Sequence, residues 1–415
     1  MCSEAARTKL HALFQRVLAT DNFNARRLRG AGLADPEACL RGFASIPFTT
    51  KADLLADHLA HRPFGSALTE PMARYTRFCQ TSGTSTGQPM AWIDTPGSWE
   101  AMLECWRFVY RGADLRAGED RIFFAFSFGP FLGFWTAFEA AASDYLIIPG
   151  GGLSSQARLE AMARYQATVL CCTPTYALRL GESIGAASGV ALDQLAVRKV
   201  IVAGEPGGSV PGVRDRIEKL WNARVFDHHG MTEVGPVSFE TSAAPGLLQV
   251  IEEAYFAEVV DREGREVAEG ECGELVLTTI NRVACPLIRY RTGDWVQKRR
   301  VDGRLCLEGG VLGRVDEMVV IRGVNIYPSA VERVVREFDG IAEFQIEQKK
   351  VDAMDELDLL VELAPTAAPT LVKQLESRLR DTFSMRIPVR VVAELPRFEF
   401  KAKRWARVQP SRSFE

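Results

Sequence analysis

The sequence predicts an α/β protein built from a large N-terminal α/β domain with a β subdomain and a small α+β C-terminal domain. Three observations lead there. Between residues 121 and 203, short apolar runs alternate with stretches of helical periodicity, the pattern of a mostly parallel sheet covered by helices. From 254 to 300 the helical periods stop, and short strands are separated by Gly- and charge-rich turns. Beyond residue 316 a second, self-contained set of apolar periods begins.

Taken in order, residues 4–62 read as helices and loops. One example is 9–20, with Leu10, Leu13, Phe14, Val17 and Leu18 at helical spacing. No chemistry is evident in that section. Residues 99–110 read as helix, 121–126 as strand, 133–142 as helix, 145–148 as strand, 156–165 as helix and 168–172 as strand. A helix then precedes a strand at 199–203. In the β subdomain, 257–260 and 274–278 read as strands. The boundary falls at Gly313 to Asp316, which gives domains 1–315 and 316–415. In the second domain Pro328 opens a helix with Val331, Val334, Val335 and Phe338 on one face. Ala342, Phe344 and Ile346 alternate with Glu343, Gln345 and Glu347, and Leu357, Leu359, Val361 and Leu363 repeat that period of two. Leu371, Leu375, Leu379 and Phe383 mark another helix.

A chain of 415 residues is long enough for two or three cores. With 47% apolar and 25% charged residues, its composition is that of a soluble globular protein. The net charge of −3, from 50 basic and 53 acidic residues well mixed along the chain, argues against nucleic acid as the main partner. No apolar run reaches membrane-spanning length, and the N-terminus lacks a signal-peptide core, so a cytoplasmic protein with no membrane partner is expected. A homodimer stays open. None of the nine cysteines forms a Cys-x-x-Cys pair, so neither a zinc knuckle nor a redox dithiol is indicated.

The stretch Cys79 to Met90 contains Thr81, Ser82, Gly83, Thr84, Ser85, Thr86 and Gly87 between apolar and aromatic flanks. Hydroxyls and unhindered backbone N–H groups suit phosphate oxygens, and a plain Ser/Thr-Gly linker is the competing reading. Three residues separate Gly83 from Gly87, and Gln88-Pro89 follows, so this is not a Walker-type loop. Further segments are Cys171-Cys172-Thr173-Pro174-Thr175-Tyr176, Ala203-Gly204-Glu205-Pro206, and Asp227-His228-His229-Gly230-Met231-Thr232-Glu233. Later come Pro286 to Asp294 (ending Arg291-Thr292-Gly293-Asp294), Gly313-Arg314-Val315-Asp316, Ile321-Arg322-Gly323-Val324-Asn325, and Leu395 to Arg404 around Lys401.

In order and spacing these segments resemble the adenylate-forming superfamily of AMP-forming acyl-CoA synthetases, and within it the phenylacetate–CoA ligase branch. The resemblance runs from about residue 40 to the end. It implies the adenylate-forming enzyme fold, with a mobile C-terminal domain. It also implies an enzyme that uses ATP, Mg²⁺ and coenzyme A to convert an aromatic acid to an acyl-AMP and then to an aryl-CoA thioester. Residues 81–87 would then meet the β- and γ-phosphates. Gly204, Glu205, Asp227, His228, His229, Gly230, Thr232, Asp294 and Arg314 would line the nucleotide, with Asp294 accepting from the ribose hydroxyls. Glu233 would hold Mg²⁺, and Lys401, Glu233 and Arg314 would form the catalytic set. Phe126, Phe128, Phe131, Ala203, Gly204, His229, Gly230 and Met231 would surround the acid. Asp316 would be the hinge, and Arg322-Gly323 the loop presented to the thiol donor.

The chain departs from the family at several points. Gln88 stands where many relatives carry Lys, one extra Ser/Thr lies in the loop, His229 replaces a frequent Tyr, and Phe400 replaces the Gly before the lysine. His228, His229 and Glu233 are also metal-capable residue types, although a packing or pocket role suits the two histidines better. Two competing functions share these residues: transfer to a carrier-protein thiol, amine or hydroxyl, and a nucleotide-binding homologue without catalysis.

Overall fold

The computed structural model describes residues 4–81, 89–185, 187–321, 324–351, 354–365, 367–397 and 404–408. Among them, an eleven-stranded sheet runs through the large domain. Five strands are parallel, in the spatial order Leu146–Pro149, Arg121–Phe124, Val169–Cys172, Lys199–Ala203 and Arg224–Met231. The sheet then continues antiparallel through Gly235–Thr241, Ala244–Val250, Arg304–Arg314, Tyr290–Val301, Cys272–Thr279 and Tyr255–Val260. The expected β subdomain is therefore the antiparallel half of one sheet, joined to the parallel half through Arg224–Met231.

The inner parallel strands Arg121–Phe124, Val169–Cys172 and Lys199–Ala203 are buried on both faces, which is why they read as apolar runs. Successive side chains go to opposite cores. Ile122, Phe124, Val169, Cys171 and Ile201 pack with Trp99, Met102, Trp106 and Val109 of the helix Pro96–Gly112. Phe123, Leu170, Cys172, Val200 and Val202 pack with Leu159 and Met162 of Ser155–Tyr165, and with Val213, Ile217 and Trp221 of Pro211–Trp221. The sequence reading runs the first strand to residue 126, but its ladder ends at Phe124. Phe126 and Phe128 lie in the loop beyond, at the C-terminal edge of the parallel strands.

Four short helices, Glu4–Leu18, Phe23–Gly30, Pro36–Arg41 and Lys51–Ala60, form the N-terminal segment. Arg289 pins it to the sheet. Its buried guanidinium donates to Glu258 at 3.0 and 2.9 Å and to the carbonyls of Ala44 and Ile46 at 2.6 and 2.8 Å. The segment thus enters Lys51 on a capped helix, with Thr50 and Asp53 closing a reciprocal capping box.

In the C-terminal domain, a four-stranded sheet runs in the order Val389–Val392, Met354–Leu363, Ile341–Val351 and Trp405–Val408. The helices Pro328–Val335 and Leu371–Phe383 share its core, with Val331, Val334, Leu375 and Leu379 buried. The basic run after Lys401, which composition also allows as a solvated tail, continues into the strand Trp405–Val408, parallel to Ile341–Val351. The small domain meets the large one where Tyr327 stacks on Trp295 (centroids 6.1 Å apart) and Ser329 Oγ donates to the Leu312 carbonyl. Among the described residues, no helix is long and apolar enough to cross a membrane. Seven of the eight described cysteines are buried thiols, and only Cys272 is exposed.

Two of the expected nucleotide contacts belong to the core. The His228 ring packs on Trp106 with centroids 4.3 Å apart, and Nδ1–H donates to the Ser238 carbonyl at 2.8 Å. Asp227 is buried too, accepting from Ser209 Oγ at 2.6 Å and from the His228 N–H at 2.9 Å. Both side chains therefore already have partners: the His228 ring is turned onto the helix Pro96–Gly112, and the Asp227 carboxylate is held by Ser209 of the segment after Lys199–Ala203.

Burial holds the His228 pKa down at about 3, against 6.5 when unfolded. A lowered histidine pKa contributes stability that is complete above 6.5 and lost as pH falls toward 3, because the unfolded chain takes up the proton first. Glu240, lifted to about 7 by burial, acts in the opposite sense over part of that range, so wild type and variant are compared at matched pH. Denaturation midpoints between pH 7.5 and 4.5 should show His228→Gln losing less stability on acidification than wild type, by about 1.4 kcal/mol per pH unit below 6.5. Parallel curves for the two proteins would contradict the neutral core histidine.

Candidate functional site

The loops that leave the parallel strands all emerge along one edge of the sheet. They include 125–131 after Arg121–Phe124, Thr173 at the helix start after Val169–Cys172, and 204–209 after Lys199–Ala203. The crevice outside the carboxyl ends of such strands is where open α/β sheets bind ligands. At its antiparallel side lies Asp294, buried and paired in register with Arg314 on the neighbouring strand. Arg314 Nη1 donates to Asp294 Oδ1 at 2.9 Å and to the Thr292 carbonyl at 2.9 Å. His229 Nε2 lies 2.9 Å from Asp294 Oδ2. Hydrogen bonds and charge from His229 and Arg314 outweigh burial and hold the Asp294 carboxyl below its ordinary range. Each carboxylate oxygen keeps a second lone pair for another donor. Gly293 has φ +78°, and a Cβ there would lie 2.6 Å from Arg314 Nη2, so both backbone conformation and side-chain space require glycine beside this pair.

The Ser/Thr-Gly segment joins two strands of a small sheet. The strands, Arg77–Gln80 and Ala91–Asp94, pair antiparallel, and Thr81 donates its N–H to the Met90 carbonyl at 2.9 Å and accepts the Met90 N–H on Oγ1 at 2.9 Å. Ser82, Gly83, Thr84, Ser85, Thr86 and Gly87 lie outside the described residues. Asp94, at the far end of the second strand, is buried and forms a two-pronged pair with buried Arg282, at 2.8 and 2.6 Å. The same guanidinium donates to the carbonyls of Thr232 and Glu233 at 2.8 and 3.0 Å. Arg282 therefore fixes the turn that carries Glu233 against that strand.

The Glu233 carboxylate is almost fully buried, and Lys51 Nζ lies 3.5 Å from its Oε1. A buried carboxylate facing a cation is a hard oxygen donor of the kind Mg²⁺ takes when it is shared with phosphates. Among the described residues, no group of three or more His, Cys, Asp or Glu could hold a metal. Phosphate oxygens and water would have to complete such a shell, and His228 and His229 are engaged elsewhere. Sequence reasoning missed Lys51 and Arg282. The signal for Arg282 was a lone cation in the apolar run Ile280 to Leu287. Lys51 gave none, since its partner is remote in the chain.

The aromatic residues separate. Phe126 is buried and stacks on Phe134 at 3.6 Å. Phe128 is half-buried, against Trp135 and Phe138 at 4.8 and 5.1 Å. Phe131 is exposed and covers Gly129. Ala203 ends a parallel strand, Gly204 follows with φ +95°, and Gly230 and Met231 end the next strand, so all four stand at the crevice edge. Glu205 accepts the Thr175 N–H at 2.8 Å; burial raises its carboxyl, while that bond and Arg404 of the small domain lower it.

Lys401, Arg322 and Gly323 lie outside the described residues. Asp316 falls in the one-turn helix Val315–Glu317, directly after the strand that ends at Arg314. Arg404, three residues beyond Lys401, is held by Glu343 at 2.7 Å and by Glu332 at 3.0 Å.

Comparison with known proteins identifies the family. Residues 76–283 match the AMP-binding enzyme family, and 323–407 match the AMP-binding enzyme C-terminal domain. A phenylacetate–coenzyme A ligase of Thermus thermophilus is 31% identical over 82% of this chain and 76% of its own length. One from Escherichia coli is 28% identical over 88% of this chain and 85% of its own. The crystal structure of 2-hydroxyisobutyryl-CoA ligase in the postadenylation state, with its acyl-AMP, superposes with a TM-score of 0.88 at 26% identity, covering 97% of this chain and 89% of that one. The same ligase in the thioesterification state gives 0.71 at 27% identity, over 98% and 89%. With a catalytic-scale domain and its C-terminal partner both matched, and a relative above 30% identity along most of its length, the chain belongs to the AMP-binding, adenylate-forming enzyme family, in its phenylacetate–coenzyme A ligase-like branch.

Proposed function

We propose that the chain activates an aryl or arylacetic acid. The acid's carboxylate oxygen attacks the α-phosphorus of ATP, pyrophosphate leaves, and an acyl-AMP forms. The thiol of coenzyme A then loses its proton, its sulfur attacks the acyl carbonyl, and AMP leaves. The observation that carries the reading is Asp294, a buried carboxylate clasped by His229 and Arg314 at the crevice edge, where two ribose hydroxyls would find an acceptor. The aromatic class rests on the phenylacetate-specific names of the relatives and on Phe128 at the loop wall.

In this reading Arg314 also faces the phosphate–ribose junction, and Glu233 would hold Mg²⁺, which supplies charge neutralisation for the departing pyrophosphate. Lys51 lies beside Glu233 and brings a positive charge to the phosphate end, where Gln88 lacks the one many relatives have. Lys401 would stabilise charge that develops on the carboxylate and α-phosphate. The domains are 1–315 and 316–415, a division supported by family matches that fall on either side of Asp316. Rotation at Asp316 would withdraw Lys401 and bring Arg322-Gly323 to the thiol. The enzyme would work in the cytoplasm.

Acid-dependent pyrophosphate exchange, with a panel of benzoates and arylacetates against 2-hydroxyisobutyrate, tests the assignment; exchange only with the aliphatic acid would overturn the aromatic class. With the best acid, Lys401→Ala should lower exchange by on the order of 10²–10³ while leaving ATP affinity in place. Asp294→Ala should weaken ATP and AMP binding by more than about tenfold, the value of hydrogen bonds to a charged group, and an unchanged calorimetric Kd would refute the ribose role. Lys51→Ala should raise the KM for ATP by about tenfold and leave AMP binding unaltered, since AMP lacks the distal phosphates. A variant that loses both nucleotides equally would place Lys51 elsewhere.

A further inference from the structure

The small domain touches the large one at a point where only hydrogen fits. The helix Pro211–Trp221 begins Pro211-Gly212, and the helix Pro328–Val335 of the small domain ends at Arg336. A Cβ placed on Gly212 would lie 2.1 Å from the Arg336 carbonyl oxygen, 2.7 Å from its carbon and 3.3 Å from the Glu337 nitrogen. All three are backbone atoms, so no rotamer change relieves the contact. Gly212 is not among the residues with positive φ, and its own helix would accept alanine more readily than glycine, by about 1 kcal/mol. The large domain by itself therefore gives no reason for glycine here. The approach of Arg336 does.

The contact leads on toward the chemistry. The helix that ends at Arg336 carries Glu332, which accepts from Arg404 at 3.0 Å, and Arg404 stands three residues after Lys401. On the large-domain side, the charge of Arg404 is felt by Glu205 in the crevice loop. A shift of Arg336 is thus transmitted through Glu332 to Arg404, three residues after Lys401 in the chain. We propose that Gly212 is the notch that seats the small domain for adenylation, which makes it a positioning residue for the first half-reaction and not for the second. This rests on the functional reading above. It agrees with the closer superposition on the postadenylation structure, 0.88 against 0.71 for the thioesterification structure.

The test is Gly212→Ala beside a matched control. Gly97 also follows a proline at a helix start, Pro96–Gly112, and a Cβ there meets nothing within 4 Å. In Gly212→Ala, relieving the clash moves Arg336 by about 1 Å, and a misplacement of that size costs about 10²-fold in rate. Pyrophosphate exchange should fall by about that factor, whereas thioester formation from supplied acyl-AMP and coenzyme A should match wild type. Gly97→Ala should leave both reactions unchanged. Retained exchange in Gly212→Ala, or an equal fall in both half-reactions, would overturn the proposal. Hydrogen exchange of the full chain gives a second reading that does not depend on turnover. Amides in 329–337 should exchange faster in Gly212→Ala while the strands of the large domain keep their protection; unaltered protection at 329–337 would also overturn it. If wild type exchanges pyrophosphate with no acid, the functional reading fails, and the hydrogen-exchange arm still reports on the notch.

Discussion

The guanidinium of Arg282 is the constraint around which the candidate site is assembled. It lies in the core and meets Asp94 on two prongs, the carbonyls of Thr232 and Glu233, and the face of Trp92 at 5.5 Å. A buried cation of this kind tolerates little displacement, because any donor that loses its acceptor leaves charge stranded in a medium that cannot solvate it. Three chain segments that are remote in sequence must therefore arrive together. They are the strand Ala91–Asp94, the turn bearing Glu233, and the apolar run after Cys272–Thr279. A buried ion pair is weak evidence for stability, yet here it sets the register between the strand Ala91–Asp94 and the turn that carries an acidic side chain.

The second organising cluster belongs to the small domain. Arg404 and Arg336 are both buried beside Glu332 and Glu343. Burial and the neighbouring Arg404 lower the Arg336 pKa, and the arginines in turn hold the Glu343 carboxyl below its ordinary range. The segment from Arg404 to Val408 is thereby held against the sheet edge at Ile341–Val351.

Much of this was legible in the sequence, for reasons that differ by element. The helix Leu371–Phe383 was legible from Leu371, Leu375, Leu379 and Phe383, all four of them buried, because an amphipathic period over three turns has few alternatives. The strand from Arg121 was overrun by two residues, since Phe126 is as apolar in its loop as Phe124 is in the ladder. Asp227 to Glu233 was read as a motif with no secondary structure, although most of it is the strand that joins the two halves of the sheet. The resemblance gave His228 to the nucleotide, whereas alternation along the strand turns its ring onto Trp106. Asp294 and Arg314 could be identified from their flanking motifs. Their direct partnership could not, because two register shifts between Trp295 and Gln297 decide which residues stand opposite. Arg404 looked like part of a solvated basic run, since composition cannot report the two glutamates that fold back onto it.

The pairing of Asp294 with Arg314 has a mechanical side. Arg314 is the last residue of its strand, and the one-turn helix that contains Asp316 follows without a spacer. Whatever tightens the grip of Asp294 on Arg314 also stiffens the one-turn helix that follows, the pivot proposed for the small domain. A nucleotide seated on that carboxylate would act as part of the bearing as well as the cargo. Release of AMP would then loosen the pivot at the moment the cycle must begin again, so that occupancy and mobility are set by one pair of side chains.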